Sequence, residues 1–422
     1  MLLITRRRLH FAAASAAAIL GALASGRGAA ADPAPPFREL LAQAQASAPR
    51  LAEARAEIAR AEGLARQGRA IPNPVVGLEV ENFSGSGPFN GMSLSETTAS
   101  IGQTIELGGK RSARIAVGRA DVQAARTRAA RIQAEFAFDL AAAYAGADAG
   151  ERRLQLATQS VELATEDARI ATALVDAGRE ADLRRVQAEA ALQAARAALE
   201  EARAARATAF SNLTALVGAP APITSIPTSL LARADQAFPV ALPDPMTSPA
   251  YLAAQAEREA AARRVRVERI RAIPDITASV GVRRFQGDDA TALVAGLSVP
   301  FPVFDRNRGN VSAAQAELSA AEARLNAARL DAEAAARSGL ARVSAAESRL
   351  LAARQGERTA EEAYRLTRIG YEGGKLGLVE LLNAQRALAE ARAQTIDAAL
   401  ERLSAHAGLA RLAGSTPFGD QP

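Results

Sequence analysis

Cysteine and tryptophan are absent from the 422 residues, and aromatic residues make up only 4% of them. Without cysteine the chain has no disulfide bonds, thiolate metal sites or cysteine nucleophiles. The two histidines, His10 and His406, form no cluster, and no glycine-rich phosphate loop follows a strand. About a quarter of the chain is alanine, so few bulky side chains are left to fill a large globular core. We therefore expect no enzyme, no cofactor and no tight metal site.

Residues 1–31 have the pattern of a signal peptide. Three arginines at 6–8 precede an apolar, alanine-rich run over 9–23, and small residues follow at 29–31. The run is shorter than the roughly 20 residues of a membrane-spanning helix, and the arginines fit either the general secretory or the twin-arginine route. Removing the segment takes four of the 51 basic residues and none of the 46 acidic ones, which leaves a net charge of about +1. The formal charge of +5 is then no argument for a nucleic-acid partner, and none is expected.

The rest of the chain contains an internal repeat: one sequence pattern occurs twice. Three motifs recur in the same order: IPNP at 71–74 and IPD at 273–275, DAG at 176–178 and EGG at 372–374, and LVG at 216–218 and LAG at 412–414. The last two pairs share an offset of 196 residues. We therefore predict a first repeat at 32–218, a proline-rich connector at 219–249, a second repeat at 250–414 and a short tail at 415–422.

Each repeat contains two predicted strands, at about 75–83 and 97–107 and at about 276–285 and 290–299. Apolar and polar residues alternate in all four. In the last one, for example, Leu293, Leu297 and Phe301 share one face, and Gly296 and Ser298 share the other. Runs of about ten alternating residues fit a tilted strand that crosses a membrane. A water-soluble antiparallel sheet with one wet face has the same alternation and stays open as an alternative.

Long helices are predicted at 111–177, 182–217, 306–372 and 378–412. No proline interrupts 111–177, which at 1.5 Å per residue would form a helix about 100 Å long. Small and aliphatic residues recur there and in the second half every seven positions: Ile115, Val122, Ala129, Phe136 and Ala143; Val311, Leu318, Leu325 and Ala332; Leu382, Ala389, Ile396 and Leu403. Such repeats predict coiled-coil packing of closely spaced helices.

A four-stranded sheet placed in a bilayer has two edges of unpaired backbone groups. Each unsatisfied group costs several kcal/mol in hydrocarbon, so the sheet needs further copies of the chain to close into a barrel. Two, three or four copies would satisfy this requirement, and the pattern alone does not choose between them.

The repeated halves, the four strands, the long helices and the proline-rich middle resemble the TolC family of outer-membrane efflux proteins. EVENF at 79–83, Gly85, Gly87, Glu96-Thr97 and QTIELGGKR at 103–111 resemble its cobalt-zinc-cadmium branch, which exports heavy-metal cations. The resemblance implies a mainly α-helical chain with a membrane β-barrel part. It also implies a homotrimer in which twelve strands form one pore and the long helices form a periplasmic tunnel.

The resemblance further implies the exit duct of a tripartite resistance-nodulation-division efflux system. The duct would lie in the cell outer membrane with a long periplasmic extension. Its partners would be a periplasmic adaptor protein, an inner-membrane proton-driven pump and outer-membrane lipid. A duct for drugs or for type I protein secretion is the alternative within the family. A periplasmic coiled-coil adaptor or scaffold is the alternative of another class, but it leaves four membrane-length strands unexplained.

A glycine turn separates the two long helices of each repeat, and by resemblance these turns are periplasmic tips that close the pore and contact the adaptor. The candidate residues there are Asp176, Gly178, Arg179, Asp182, Tyr371, Gly374, Lys375, Glu380 and Asn383. Three copies of Glu380 around one axis would form an acidic ring that favours cations. Leu376 and Asn383 stand where the family has an arginine and an acidic residue, which argues against a salt-bridged gate. By local chemistry alone, the candidates are hairpin caps and solvated charges.

The run from Glu106 through Gly108, Gly109, Lys110 and Arg111 is predicted to turn from strand to helix at the periplasmic membrane boundary. The two glycines permit a sharp backbone turn. The two basic residues are expected either to reach toward lipid headgroups or to be ordinary solvated residues at a helix start.

Overall fold

The computed structural model describes residues 32–236, 238 and 243–418. The predicted signal peptide and the last four residues of the predicted tail lie outside them. The first half contains β1 (Asp32–Pro33), α1 (Phe37–Ser47), α2 (Pro49–Gln67), β2 (Val75–Glu81), β3 (Glu96–Ile105), α3 (Lys110–Asp176) and α4 (Asp182–Val217). After β4 (Ile223–Ser225), the second half contains α5 (Pro249–Arg271), β5 (Ile276–Phe285), β6 (Ala290–Ser298), α6 (Arg308–Glu372) and α7 (Leu378–Ala413).

Four strands form one antiparallel sheet in the order β2-β3-β5-β6. Across it, Val76 lies opposite Ile101, Ile101 opposite Val280, and Val280 opposite Ala295. The alternating apolar residues therefore gather on one face. Large side chains on this face are exposed, so the sheet presents an open apolar surface.

The opposite face of the sheet is polar and carries an ion cluster. The guanidinium of Arg283 lies 2.9 Å from a carboxylate oxygen of Glu81 and 2.9 Å from one of Glu96. It also donates a hydrogen bond to Thr98 Oγ1 at 2.9 Å. Residues of β2, β3 and β5 are thereby joined across this face.

β6 ends one residue earlier than the alternation predicts, at Ser298, and β2 and β3 each end two residues earlier. β2 ends at Glu81 rather than at 83, because Asn82 adopts a left-handed conformation with φ of 55°. β3 ends at Ile105 rather than at 107. There the amide of Leu107 donates to Asp275 Oδ1 at 3.1 Å, so it is not available to a strand ladder. Local backbone conformation and one side-chain acceptor set the ends of β2 and β3.

The long helices form two hairpins, α3 with α4 and α6 with α7, and α3 also packs against α2, α5 and α7. The residues at the seven-residue positions are all buried or half-buried: Ile115, Val122, Ala129, Phe136, Ala143, Val311, Leu318, Leu325, Ala332, Leu382, Ala389, Ile396 and Leu403. α6 begins at Arg308, two residues later than predicted, because Asn307 is left-handed with φ of 54°. Among the described residues, no helix combines the length and apolar character that a membrane-spanning helix needs.

The main core lies midway along α3, beside the C-terminal parts of α4 and α7. Phe136 and Tyr144 of α3 are fully buried there, together with Leu213 of α4 and Leu403 of α7. The Tyr144 hydroxyl donates to the carbonyl of Thr228 at 2.9 Å. Burial and the nearby carboxylates of α3 raise the pKa of Tyr144 to about 12, so the phenol remains a hydrogen-bond donor at neutral pH.

The described part of the proline-rich connector docks on this core. β4 pairs in parallel with β1, and single turns of 3₁₀-helix follow at Leu231–Arg233 and Pro245–Thr247. The buried carboxylate of Asp148 accepts hydrogen bonds from the Leu231 amide at 2.8 Å and from Ser229 Oγ at 2.7 Å. The connector is therefore fixed to α3 by a buried polar contact, and neither β1 nor β4 was indicated by the sequence.

Candidate functional site

Both hairpin tips close with the same backbone motif. Gly178 and Gly374 are left-handed, with φ of 68° and 69°. The following residues, Arg179 and Lys375, each donate their amide to the carbonyl five residues earlier, at 2.9 and 2.8 Å. This is the Schellman arrangement, in which glycine relieves the strain that a Cβ would meet at positive φ. The two glycines thus end α3 and α6 and turn the chain toward the next helix.

The two tips pack side by side through a small apolar cluster, called here the tip cluster. Its buried members are Ala168, Ala171, Ala188, Leu378, Leu381 and Leu382, and Leu192, Tyr364 and Tyr371 are partly buried against them. These residues come from all four long helices. The tip cluster therefore joins one hairpin to the other.

Tyr371 is the candidate residue that the structure places between the two tips. Its ring is partly buried against the tip cluster. Burial raises the pKa of Tyr371, and the carboxylates of Asp167 and Glu180 raise it further, whereas Arg184 opposes the shift. The phenol is therefore uncharged at neutral pH and can donate a hydrogen bond toward the first hairpin.

Asp167 on α3 is a residue of the tip region that the sequence reasoning missed. Its side chain is 8% exposed and hydrogen-bonded to Gln385 of α7, and among the described residues its Oδ2 atom has no hydrogen-bond partner. Burial raises the pKa of Asp167, the bond to Gln385 opposes the shift, and Glu166 adds to it. The only sequence signal was an acidic residue in an alanine-rich helix, which usually indicates an exposed position.

Replacing Asp167 by asparagine is expected to stabilise the protein at neutral pH. A carboxyl whose pKa is raised on folding costs stability once it ionises, and this cost disappears as the pH falls below its ordinary value. The melting temperature of the D167N variant should therefore exceed that of the wild type at pH 7.5, and the difference should shrink toward pH 4. The control is Asp176→Asn, which removes an exposed carboxylate and should leave the melting temperature at pH 7.5 nearly unchanged. A wild type more stable than D167N at pH 7.5 would contradict the expectation.

The charged and polar candidates at the tips are exposed: Asp176, Arg179, Asp182, Lys375, Glu380 and Asn383. Glu380 and Asn383 are three residues apart on α7 and therefore share one face of the helix. Within the described residues, the Glu380 carboxylate forms no ion pair with the first tip, whose Arg184 and Arg185 pair with Glu180 and Asp182. The side chain of Leu376 lies over Gly370, where a Cβ would be 2.6 Å from Leu376 Cδ1. Leu376 thus makes an apolar contact within the second tip, at the position where the resemblance led us to expect an arginine.

At the other end of α3, the strand-to-helix turn is tightly held. Gly108 and Gly109 are both left-handed, with φ of 67° and 76°. A Cβ at Gly108 would lie 2.4 Å from Ile273 Cδ1, and the positive φ would strain any residue that has a Cβ, so glycine is favoured at this position. Across the turn Glu106 and Arg114 form a two-pronged ion pair, and the hydrogen bond to Glu106 raises the pKa of Arg114.

The two basic residues of the turn contact protein groups. Lys110 Nζ lies 2.8 Å from Asp275 Oδ1, and its side chain is 15% exposed. Arg111 Nε donates to the carbonyl of Arg69 at 3.0 Å. Lys110 is therefore not a solvated helix-start residue, which corrects one of the two expectations. Asp275 was missed as its partner, although the recurrence of IPN as IPD was the available signal.

In the part of the chain that the structure describes, no group of three or more histidine, aspartate or glutamate side chains is arranged to hold a metal ion.

The family described as outer membrane efflux protein matches residues 40–219 and 247–415. The chain belongs to this family. As an outer-membrane efflux protein it is a transport component and not an enzyme, and the outer membrane is its location.

Relatives of this outer-membrane efflux protein are named for resistance to metals. It is 42% identical over 388 residues to the nickel-cobalt-cadmium resistance protein NccC of Alcaligenes xylosoxydans xylosoxydans, covering 91% of this chain and 88% of the relative. It is 43% identical over 313 residues to the nickel and cobalt resistance protein CnrC of Cupriavidus metallidurans, covering 73% of each. The crystal structure of CusC superposes with a TM-score of 0.77 at 17% identity over 90% of this chain and 92% of CusC. That likeness concerns the fold, which is the fold of TolC-like channels.

Proposed function

We propose that this protein is the exit duct of a tripartite resistance-nodulation-division system that exports heavy-metal cations. The observation that carries the proposal is the 42% identity, over 91% of the chain, to a protein named for resistance to nickel, cobalt and cadmium. A periplasmic adaptor and an inner-membrane proton-driven pump are the proposed partners. They would supply the energy and the selection of cargo, because a duct must bind its cargo weakly to let it pass.

The proposed assembly is a homotrimer. Two observations support it: β2 and β6 have no neighbouring strand on their outer edges within the described sheet, and the apolar face of the sheet is exposed. Three copies would close a twelve-stranded barrel with the apolar face toward lipid and the polar face toward the pore. The long helices would then extend into the periplasm as a tunnel.

Phenylalanines at both ends of the sheet support a lipid-facing barrel. Phe83 follows β2 at one end, and Phe301 and Phe304 follow β6 at the other. All three side chains are exposed. Aromatic residues at the two interfaces of a bilayer are typical of outer-membrane barrels. Outer-membrane lipid would therefore contact the apolar face between these two levels.

The hairpin tips are the proposed periplasmic gate and adaptor contact. The exposed residues Asp176, Arg179 and Lys375 would be available to the adaptor. Glu380 and Asn383 share a face of α7, and three Glu380 carboxylates around the pore axis would attract cations and repel anions. The tip cluster would hold the hairpins together in the closed state.

Deletion of the gene tests the function. The deletion strain is expected to become severalfold more sensitive to nickel, cobalt and cadmium, with unchanged sensitivity to organic drugs, because the duct would no longer let the pumped cations leave the cell. The full-length gene should restore resistance. A variant lacking the first tip, residues 174–182, should reach the outer membrane without restoring it. Sensitivity to drugs alone would contradict metal export, and recovery of the protein from the periplasm without detergent would contradict a membrane duct.

A further inference from the structure

The two outer strands of the sheet have open edges with apolar side chains. Leu78 on β2 and Leu297 on β6 are 72% and 71% exposed, whereas Val280 on the inner strand β5 is 55% exposed. An open edge of this kind is a template for pairing with another strand. Its proposed occupant is a second copy of this chain, because β2 and β6 are the two ends of one sheet that must close in a membrane.

The internal repeat relates the two hairpins of the sheet residue by residue. The IPN motif at 71–73 returns as IPD at 273–275, an offset of 202 residues. By this offset, Val75 corresponds to Thr277. Val75 pairs with Gly102 and Thr277 pairs with Ser298. Gly102 therefore corresponds to Ser298, so the second strands of the two hairpins are related by an offset of 196 residues. The same offset separates the glycines of the two tips, so the assignment agrees with an independent part of the chain.

Within the chain, the second strand of one hairpin, β3, pairs with the first strand of the other, β5. We call this pairing of β3 with β5 the seam. It sets Ala99 opposite Val282, Ile101 opposite Val280 and Gln103 opposite Ala278. A ring of repeats would use the same seam between copies, because the hairpins are equivalent. Adding 196 to each β3 residue gives its equivalent on β6, and subtracting 202 from each β5 residue gives its equivalent on β2, so the pairing inside the chain is converted into the pairing between chains.

We infer that β6 pairs with β2 of the next copy in a defined antiparallel register. The pairs facing lipid are Ala295 with Val80, Leu297 with Leu78, and Val299 with Val76. On the polar face, Gly296 lies opposite Glu79 and Ser298 opposite Gly77. The inference rests on the proposed trimer and adds the register by which its copies join.

The side chains agree with this register. A slip by one residue would bring the apolar face of β6 onto the polar face of β2, setting Leu297 opposite Glu79 or Gly77. A slip by two residues would keep the faces, so face chemistry alone does not decide between such registers. The internal repeat decides, because it fixes which residues are equivalent in the two seams.

Cysteine cross-linking tests the register. Because the chain has no native cysteine, only the introduced cysteines can form disulfides. The double variant Leu78→Cys with Leu297→Cys should form disulfides between copies when full-length protein in outer-membrane vesicles is oxidised. Two matched variants combine Leu78→Cys with Ala295→Cys or with Val299→Cys. Their cysteines would be diagonal neighbours about 7–8 Å apart, beyond the usual 4.4–6.8 Å between Cα atoms of a disulfide. Most of the first variant should run as covalent dimers and trimers, and most of the others as monomers.

Each other outcome has a definite meaning. Stronger cross-linking through position 295 or 299 would overturn the register. So would absence of cross-linking in all three variants while light scattering of the detergent-solubilised protein shows trimers, and in that case the proposed duct would stand. A monomer in light scattering would overturn the trimer itself and the register with it.

Discussion

Replacing Tyr144 by alanine is expected to lower the free energy of unfolding by about 3–5 kcal/mol, the usual cost of deleting a buried aromatic side chain. Tyr144 is fully buried. Its ring meets that of Phe37 edge-on, with centroids 5.9 Å apart, and its hydroxyl donates to the carbonyl of Thr228. One side chain thus joins α3, α1 and the connector. Loss of the ring leaves a cavity and an unsatisfied carbonyl at the same point.

Urea unfolding of the detergent-solubilised protein, followed by its helical circular dichroism signal, measures this effect. The matched control is Tyr144→Phe, which keeps the ring and removes only the hydroxyl, and which should cost about 0.5–1.5 kcal/mol. Equal losses in the two variants would mean that the hydrogen bond rather than the packed ring dominates. A loss below about 1 kcal/mol in Tyr144→Ala would contradict the placement of Tyr144 in the core.

Replacing Gly281 by alanine is expected to impair assembly of the sheet. A Cβ at Gly281 would lie 2.6 Å from the carbonyl oxygen of Ala99 and 2.9 Å from Ser100 Cβ. Backbone atoms on the neighbouring strand cannot rotate away, so β3 and β5 must separate. Overpacking of this kind costs about 1–3 kcal/mol, and in a strand that must pair in a membrane the open backbone groups add to the cost.

Gly102→Ala is the matched control, because Gly102 lies on the same face and the same seam. Its Cβ would meet side-chain atoms of Thr277 and Ser279 at 3.7 Å, an ordinary contact. The amount of detergent-extracted protein in the outer-membrane fraction measures assembly. We expect a severalfold drop for Gly281→Ala and none for Gly102→Ala. Similar yields for both variants would contradict the close approach of the two strands.

Much of the fold was predictable because its signals are local. The period-2 alternation indicated all four sheet strands, and the seven-residue repeats indicated the long helices, since a residue's face depends on its spacing from its neighbours. The glycines at the tips were also recognised, because a left-handed residue at a helix end needs no partner from elsewhere in the chain. The errors at the end of β2 and at the start of α6 came from Asn82 and Asn307, two non-glycine residues at positive φ, and the error at the end of β3 came from the contact between the Leu107 amide and Asp275.

The candidate sites were predictable only in part. The sequence pointed to Lys110 in the strand-to-helix turn, but its partner Asp275 comes from the second repeat. It pointed to Tyr371 at the second tip, but the buried Asp167 beside it comes from the first hairpin. In both places the missed group is an ordinary acidic residue. It differs from the exposed acidic residues of the helices only in what packs over it.

By itself, the sequence determined the repeated plan, the four alternating strands, the long helices and the positions of the turns. Each of these follows from backbone preferences and from the periodicity of apolar residues along one segment. Only the tertiary structure decided that Tyr144 anchors the connector, that Asp167 is buried between the hairpins and that Asp275 holds the strand-to-helix turn. The reason is physical: whether a polar side chain is solvated or buried depends on the element that covers it, and in this protein that element comes from a distant part of the chain.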